Sequence, residues 1–219
     1  MSLKFHLIDW RGWDSAVDPT PCSDLVPAML RRRLTPLGRS IFSLALPLVD
    51  AYGNLPIVFA SRHGESAKTL QLLNEIAQNE PVSPTAFSLS VHNASAGVLA
   101  IHTDNHQSIN AIAAGREDLY PALIEALGMS HAFHSPVLCL FGDSPLPDAY
   151  RPLFADDCTG YSFAMVVEPG ASWEFCSETA ERDQLQPGVT HSLAWLRLLK
   201  QGGDKLTLAD GLTLRRHVK

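Results

Sequence analysis

Residues 83–97 read Ser-Pro-Thr-Ala-Phe-Ser-Leu-Ser-Val-His-Asn-Ala-Ser-Ala-Gly, and this stretch decides the fold. Its first part predicts a short extended segment over residues 87–93. Its second part opens a helix over residues 94–101 that is rich in small side chains, as a tightly packed helix needs. The small residues Ala94, Ala96, Gly97 and Ala100 indicate core construction, because they lack the spacing of a phosphate-binding glycine loop.

Strands and helices alternate on both sides of this stretch. Apolar runs predict buried strands, and runs with helical periodicity predict helices. The predicted strands cover residues 55–61, 108–114, 136–141 and 161–167, with an edge strand at 4–10. The predicted helices cover residues 25–33, 40–49, 66–79 (with Leu70, Leu73 and Ile76 on one face), 94–101 and 118–127 (ending at Gly128). This alternation predicts an α/β protein whose sheet is covered on both faces.

The last 45 residues follow a different pattern. Residues 190–201 predict a helix with Trp195 and Leu198 on its inner face. Residues 205–217 alternate around Asp210-Gly211, which is a strong hairpin signal. We therefore predict two units: a main domain over residues 1–176, and a helix and β-hairpin extension over residues 177–219 that packs on it.

Composition excludes several classes of protein. The chain has 219 residues, and its 17 Lys and Arg against 23 Asp and Glu argue against nucleic acid as a partner. No run approaches the roughly 20 apolar residues that cross a bilayer. The four scattered cysteines predict reduced thiols, without a zinc site or a disulfide framework. The first ten residues do not match a signal peptide, so we expect a cytoplasmic protein.

Three segments together carry a family resemblance. They are residues 57–65 (Ile-Val-Phe-Ala-Ser-Arg-His-Gly-Glu), residues 83–97, and residues 137–143 with Pro145. The chain resembles the amino-terminal domain of β-ketoacyl synthases, within the thiolase superfamily, over about residues 25–168. The resemblance implies half of a thiolase-like fold, layered α/β/α around a mixed sheet, with the carboxyl-terminal helix and hairpin added to it.

The chain departs from that family where the family carries out its chemistry. The resemblance places the family's nucleophilic cysteine at the start of the helix after the 108–114 strand. Here the corresponding window, residues 112–116, reads Ile-Ala-Ala-Gly-Arg. The vacated nucleophile region comprises Ala113, Ala114, Gly115 and Arg116. Cys139 is the nearest cysteine, inside a predicted buried strand, and the family's two histidine motifs belong to a second half that this resemblance does not cover.

These departures imply a partner and not an independent enzyme. We expect a non-catalytic, chain-length-factor-like partner of a full-length β-ketoacyl synthase, in a heterodimer or larger assembly, for type II chain elongation of fatty-acid or polyene kind. No cofactor is implied. The resemblance assigns the partner interface to Ser108, Ile109, Asn110, Ala111, Ile112, Ala113 and Ala114.

An acyl carrier protein is a second expected contact, reached through the partner. Arg31, Arg32 and Arg33 could attract its acidic surface, although the same residues also fit a solvated helix end.

Other sites remain open at this point. Gly142-Asp143-Ser144 resembles the serine block of GDSL-type hydrolases, with only Asp210 and His217 as later partners, or it is a turn after a strand. Ser90 and His92 would share a strand face beside Ser95. The pairs His102/His106 and His131/His134 have the spacing of metal ligands only if helical. A stand-alone acyl-binding protein is a further alternative.

Overall fold

The alternation of apolar strands and amphipathic helices produces a mixed sheet with helices on both faces. The structure, a computed structural model, describes residues 2–18, 20, 23, 25–150, 152–153, 159–177, 185, 188–208 and 211–217. Within these residues the strands are β1 Leu3–Asp14, β2 Ile57–Ala60, β3 Ile109–Ile112, β4 Val137–Asp143, β5 Tyr161–Pro169, β6 Trp173–Ser177, β7 Lys205–Thr207 and β8 Leu212–Arg216. The helices are α1 Ala28–Arg33, α2 Pro36–Tyr52, α3 Ser66–Ala77, α4 Pro84–Ser88, α5 Ala94–His102, α6 Leu119–Phe133 and α7 His191–Lys200. The predicted α/β class is therefore confirmed.

The strands form one sheet in the order β3-β2-β4-β5-β1-β6-β8-β7. Strand β2 is parallel to β3 and β4, and the pairings from β4 across to β7 are antiparallel. The prediction of an edge strand at residues 4–10 was wrong, because β1 lies between β5 and β6. The alternation of polar and apolar residues in β1 shows that one face of this strand is partly exposed to solvent. A central strand in an antiparallel region can also have one exposed face, so the alternation does not identify an edge strand.

Each face of the sheet has its own apolar core. On one face, α6 and α7 pack over β4 and β5 around the fully buried Trp195 and Phe163. On the other face, α1, α2 and α5 pack around Phe42, Phe59 and Leu99. The strands β2 and β4 are buried on both faces, which explains why they read as continuous apolar runs in the sequence.

Several helices differ from their predicted limits. Residues 87–93 are not extended: the Ser83 hydroxyl accepts a hydrogen bond from Ala86 N, and Pro84 opens α4 at its first position. Helix α6 continues through the exposed Gly128 and ends at His134, whose φ is 51°. The apolar face predicted for the third helix was wrong, since α3 buries Leu72 and leaves Leu73 and Ile76 exposed.

The carboxyl-terminal elements join the same sheet. Strands β7 and β8 form the predicted hairpin, and β8 extends the sheet from β6. Asp210 of the predicted turn lies outside the described residues. Strand β6 escaped prediction and crosses residues 176 and 177, where we placed a boundary between two units. That division stays a prediction.

A tight contact between β1 and α7 gives a test of this packing. A Cβ atom at Gly12 would lie 2.2 Å from Leu196 Cδ1 and 3.1 Å from Leu196 Cγ, and Leu196 is fully buried. We therefore expect Gly12→Ala to lower the free energy of unfolding by about 1–3 kcal/mol. Gly97→Ala in α5 is the control: no atom lies within 4 Å of its added Cβ, so stability should rise by about 0.5–1 kcal/mol. Urea unfolding measures both, and equal stability of the two variants would contradict this packing.

Candidate functional site

The candidate site is the edge strand β3 with the loop that follows it. Strand β3 pairs with β2 and forms one end of the sheet among the described strands. The carbonyl oxygens of Ser108 and Ile112 accept hydrogen bonds from Ile57 N (2.9 Å) and Ser61 N (3.2 Å). In a parallel ladder alternate residues direct their N–H and C=O groups to opposite sides, so Ser108, Asn110 and Ile112 face β2. Ile109 and Ala111 therefore present N–H and C=O groups at the open edge.

Side chains on both faces hold β3 in place. Ile109 packs against the core formed by α2 and α5, and Ile112 packs against the core formed by α6 and α7. The Asn110 Nδ2 group donates a hydrogen bond to Glu125 Oε1 on α6. The strand is thus fixed from two sides, while Asn110 and Ala111 remain exposed.

The vacated nucleophile region lies on the loop between β3 and α6. Gly115 has a φ of 61°, a left-handed conformation that favours glycine, and no atom lies within 4 Å of a Cβ built there. Helix α6 begins only at Leu119, so three residues separate Gly115 from the helix start. Pro121 in its first turn has no N–H to donate. Gly115 therefore lies in the loop and not within the first turn of α6.

A buried carboxyl group fastens the end of this loop. Asp118 is 1% exposed and accepts hydrogen bonds from Ser192 N (3.0 Å), from Ser192 Oγ and from Tyr161 Oη (3.0 Å). Thr190 Oγ1 lies 3.1 Å from Ser192 Oγ and adds a fourth polar side chain to the cluster. The loop after β3, the start of β5 and the start of α7 consequently meet at one point.

Backbone contacts reinforce the same junction. His191 N donates to the carbonyl oxygen of Arg116 (2.9 Å), and Arg116 Nε donates to the carbonyl oxygen of Val189 (3.3 Å). The segment that leads into α7 therefore contacts the vacated nucleophile region at Arg116. Sequence reasoning missed this junction, because Asp118 and Ser192 are 74 residues apart and each resembles an ordinary helix start.

Burial controls the ionisation of Asp118. Desolvation raises the pKa of this carboxyl to about 7, hydrogen bonds from Ser192 oppose the rise, and the nearby Asp143 carboxylate adds to it. The pKa of the Tyr161 hydroxyl is raised for the same reasons, burial first and then the charge of Asp118. A partly protonated carboxyl group near neutral pH is therefore a property of this junction.

The thiols of the described residues lie elsewhere. Cys139 is fully buried in β4, and desolvation raises the pKa of its thiol far above the ordinary range. Cys176 is half-buried on β6 and points its Sγ atom toward the carbonyl oxygen of Thr213. The other two cysteines fall outside the described residues. Neither described thiol can serve as a nucleophile on the loop after β3.

The serine-hydrolase alternative finds no support in the geometry. Asp143 turns inward and accepts hydrogen bonds from Ser61 Oγ (2.8 Å) and His63 N (2.9 Å), so it fastens the turn after β2. His217 contacts Glu174 (2.8 Å), and strands β5, β1 and β6 separate its strand from β4. His217 N also bonds Ser172 O, near the amino end of β1, whereas Ser144 lies at the opposite end of the sheet. Asp210 is not among the described residues.

The remaining candidates have structural partners. Ser90 Oγ donates to Phe87 O within a turn and not on a strand, while His92 Nε2 lies 2.9 Å from Ser61 O. Ser95 Oγ donates to the buried Glu65 carboxylate (2.9 Å). Among the described residues, no three His, Cys, Asp or Glu side chains group as metal ligands.

Comparison with known proteins defines the class first. The fold is similar to that of one chain of a solved complex from Xenorhabdus doucetiae, entitled "Ketosynthase (ApeO) in Complex with its Chain Length Factor (ApeC)", with a TM-score of 0.86 and 26% identity. The match covers 98% of this chain and 100% of that chain, so the two have nearly the same extent. This likeness confirms the predicted thiolase-like α/β fold.

The family follows from the sequence. A family model described as "Beta-ketoacyl synthase, N-terminal domain" matches residues 10–214, well beyond the range over which we noted the resemblance. The chain therefore belongs to the β-ketoacyl synthase N-terminal domain family. A search of curated proteins gave no match. None of the described helices is both long and apolar enough to span a bilayer.

Replacing Asp118 by asparagine tests the buried junction. In the folded chain the carboxyl group holds its proton up to about pH 7, against an ordinary pKa of 3.8. The folded state then binds more protons than the unfolded state between these values, so this group lowers stability as pH rises from about 4 to 7. Asp118→Asn cannot ionise, and its stability relative to the wild type should increase over that range by a few kcal/mol. Urea unfolding between pH 4 and 8 measures the difference.

Asp14→Asn is the matched control for that titration. Burial opposes ionisation of Asp14, but hydrogen bonds from Arg197 and Ala16 leave its pKa below the ordinary value. Its contribution to stability is therefore present above the ordinary pKa and is lost as pH falls. A difference between Asp118→Asn and wild type that does not change with pH would contradict the role of Asp118.

Proposed function

We propose that this chain is a non-catalytic, chain-length-factor-like partner of a full-length β-ketoacyl synthase that elongates carrier-bound acyl chains of fatty-acid or polyene kind. The observation that carries the proposal is the match, over nearly the whole of both chains, to one chain of a complex that pairs a ketosynthase with its chain length factor. Family membership over residues 10–214 supports it.

The chemistry of the loop after β3 also supports a non-catalytic role. Claisen condensation on a carrier-bound chain requires a thiolate to hold the acyl group and donors to stabilise an enolate oxygen. Residues 112–116 contain no cysteine. Gly115 lies outside the first turn of α6, and the buried Asp118 carboxyl occupies the start of that helix. The partner would therefore supply the catalytic groups.

Strand β3 is the proposed interface with the ketosynthase. The predicted segment from Ser108 to Ala114 contains the whole of β3 and the first residues of the loop. Its open backbone groups at Ile109 and Ala111 can pair with a strand of the partner, so that the two sheets join. A cytoplasmic location is part of the same proposal, and the four scattered cysteines of the sequence, which lack the spacing of a disulfide framework, support it.

Proline at position 111 tests this interface. The Ala111 N–H points away from β2, so Ala111→Pro removes a donor at the open edge and leaves the bonds to β2 in place. We expect the chain to remain folded but to lose co-purification with the ketosynthase. Thr207→Pro on β7, at the opposite edge of the sheet, is the control, since antiparallel pairing with β8 also points its N–H outward. Retained association of Ala111→Pro would reject the strand interface.

The arginines at the end of α1 form the proposed contact with an acyl carrier protein. Arg32 and Arg33 are exposed and Arg31 is half-buried, on the last turn of the helix. Reversing the charge of two of them, Arg31→Glu with Arg32→Glu, should slow acyl-chain output by the complex while its assembly stays intact, because steering of an acidic partner is lost. Lys200→Glu with Arg216→Glu changes the net charge equally and serves as the control. Unchanged output of the first variant would reject this contact.

A further inference from the structure

Strand β3 alone is too small to hold a stable partner. Its four residues span about 13 Å, and one edge of such a strand offers on the order of 100–200 Å². Stable protein interfaces bury about 800 Å² on each partner. A ketosynthase that pairs with β3 must therefore cover further surface next to this strand.

An open apolar groove lies along α5, the helix that leads into β3. Its volume is about 700 Å³, and helix α1, the end of α4 and the outer side of α5 form its walls. Its lining includes Met29, Val91, Gly97, Val98 and Ile101, and none of its lining residues is acidic. Met29 and Ile101 at the rim are each 82% exposed, which is unusual for large apolar side chains.

The sequence of α5 explains the groove. The helix buries Ala96 and Leu99 in the core beneath it and turns Gly97 outward. No atom lies within 4 Å of a Cβ built on Gly97, so within the described residues no side chain fills the space above the helix. The small residues of α5 allow the helix to pack closely on the core, and on its opposite side Gly97 leaves the groove unfilled.

The helix that lines the groove is held in a fixed position relative to β3. Val98 of α5 and Ile109 of β3 pack against the same apolar core. The loop between α5 and β3 is tied down, since Asn105 Nδ2 donates to Leu55 O (2.9 Å) and Asn54 Nδ2 donates to Thr103 O (3.1 Å). A partner strand placed against β3 would bring the body of the partner close to α5.

We propose that the ketosynthase that pairs with β3 also covers this groove, with Met29, Val91 and Ile101 as its apolar anchors. The inference rests on the proposed function and extends it to a second surface. The lack of acidic residues and the presence of an exposed methionine match the composition of interface cores, which are depleted of charge and enriched in methionine. Covering the groove would supply the area that β3 lacks.

A pair of isoleucine substitutions tests the proposal. Ile101→Asp places a carboxylate at the rim of the groove, where an apolar partner surface would strip its water. Ile76→Asp is the matched control, an exposed isoleucine on α3 that does not line the groove and is 58% exposed. The probe is the ketosynthase that co-purifies with the tagged chain from its own cells and is identified by its mass. We expect Ile101→Asp to weaken binding at least about tenfold and Ile76→Asp to change it less than about twofold.

Gly97→Leu provides a second variant that keeps the chain folded. Leucine has a higher helix propensity than glycine, and the space above Gly97 is open. Filling the groove should weaken binding of the ketosynthase as Ile101→Asp does, with urea unfolding unchanged or improved.

The outcomes separate the two proposals. If the wild-type chain binds no ketosynthase, the proposed function fails and this inference fails with it. If the wild type binds and Ala111→Pro does not, while Ile101→Asp and Gly97→Leu bind as the wild type does, only the groove proposal is overturned. If only Ile76→Asp binds the ketosynthase more weakly, the second contact surface lies on α3, and the groove proposal is also overturned.

Discussion

The hydrogen bonds around the Asp118 carboxyl group are the constraint on which the site depends. They join the loop after β3 to Tyr161 at the start of β5 and to Ser192 at the start of α7. Together with the hydrogen bonds between Arg116 and residues 189 and 191, they connect the loop to the carboxyl-terminal part of the chain. The cost of burying a carboxyl group, visible in its raised pKa, is offset by three donors converging on it.

The junction also fixes the end of the loop after β3 against the start of α7. Val189 O accepts a hydrogen bond from Arg116, while His191 and Ser192, the first residues of α7, donate to Arg116 O and to the Asp118 carboxylate. The backbone edge of β3 stays open, and so does the apolar groove along α5, the helix that leads into β3. In the function proposed above, these open surfaces face the ketosynthase.

Local patterns predicted much of this structure, and long-range pairings did not follow from them. The apolar runs of β4 and β5 and the small residues of α5 could be predicted, since each pattern reports burial at its own position. The central position of β1 in the sheet could not be predicted. An alternation of polar and apolar residues shows which face of a strand is exposed to solvent, but it does not show which strands pair with it on either side. The segment at residues 87–93 was wrongly predicted to be extended, because Phe87 and Val91 were given more weight than the Ser-Pro helix start. The Asp118 cluster depends on residues 43 and 74 positions away.

The central position of β1 has a consequence for how the chain matures. Among the described strands β1 comes earliest in the chain, yet both of its neighbours come much later: Phe5 pairs with Pro169 and with Trp173. The sheet cannot close across its middle until β5 and β6 have been synthesised, because loop-closure entropy must be overcome over some 160 residues. Trimming the amino terminus through Asp14 would therefore not shorten an end; it would split the sheet into two pieces.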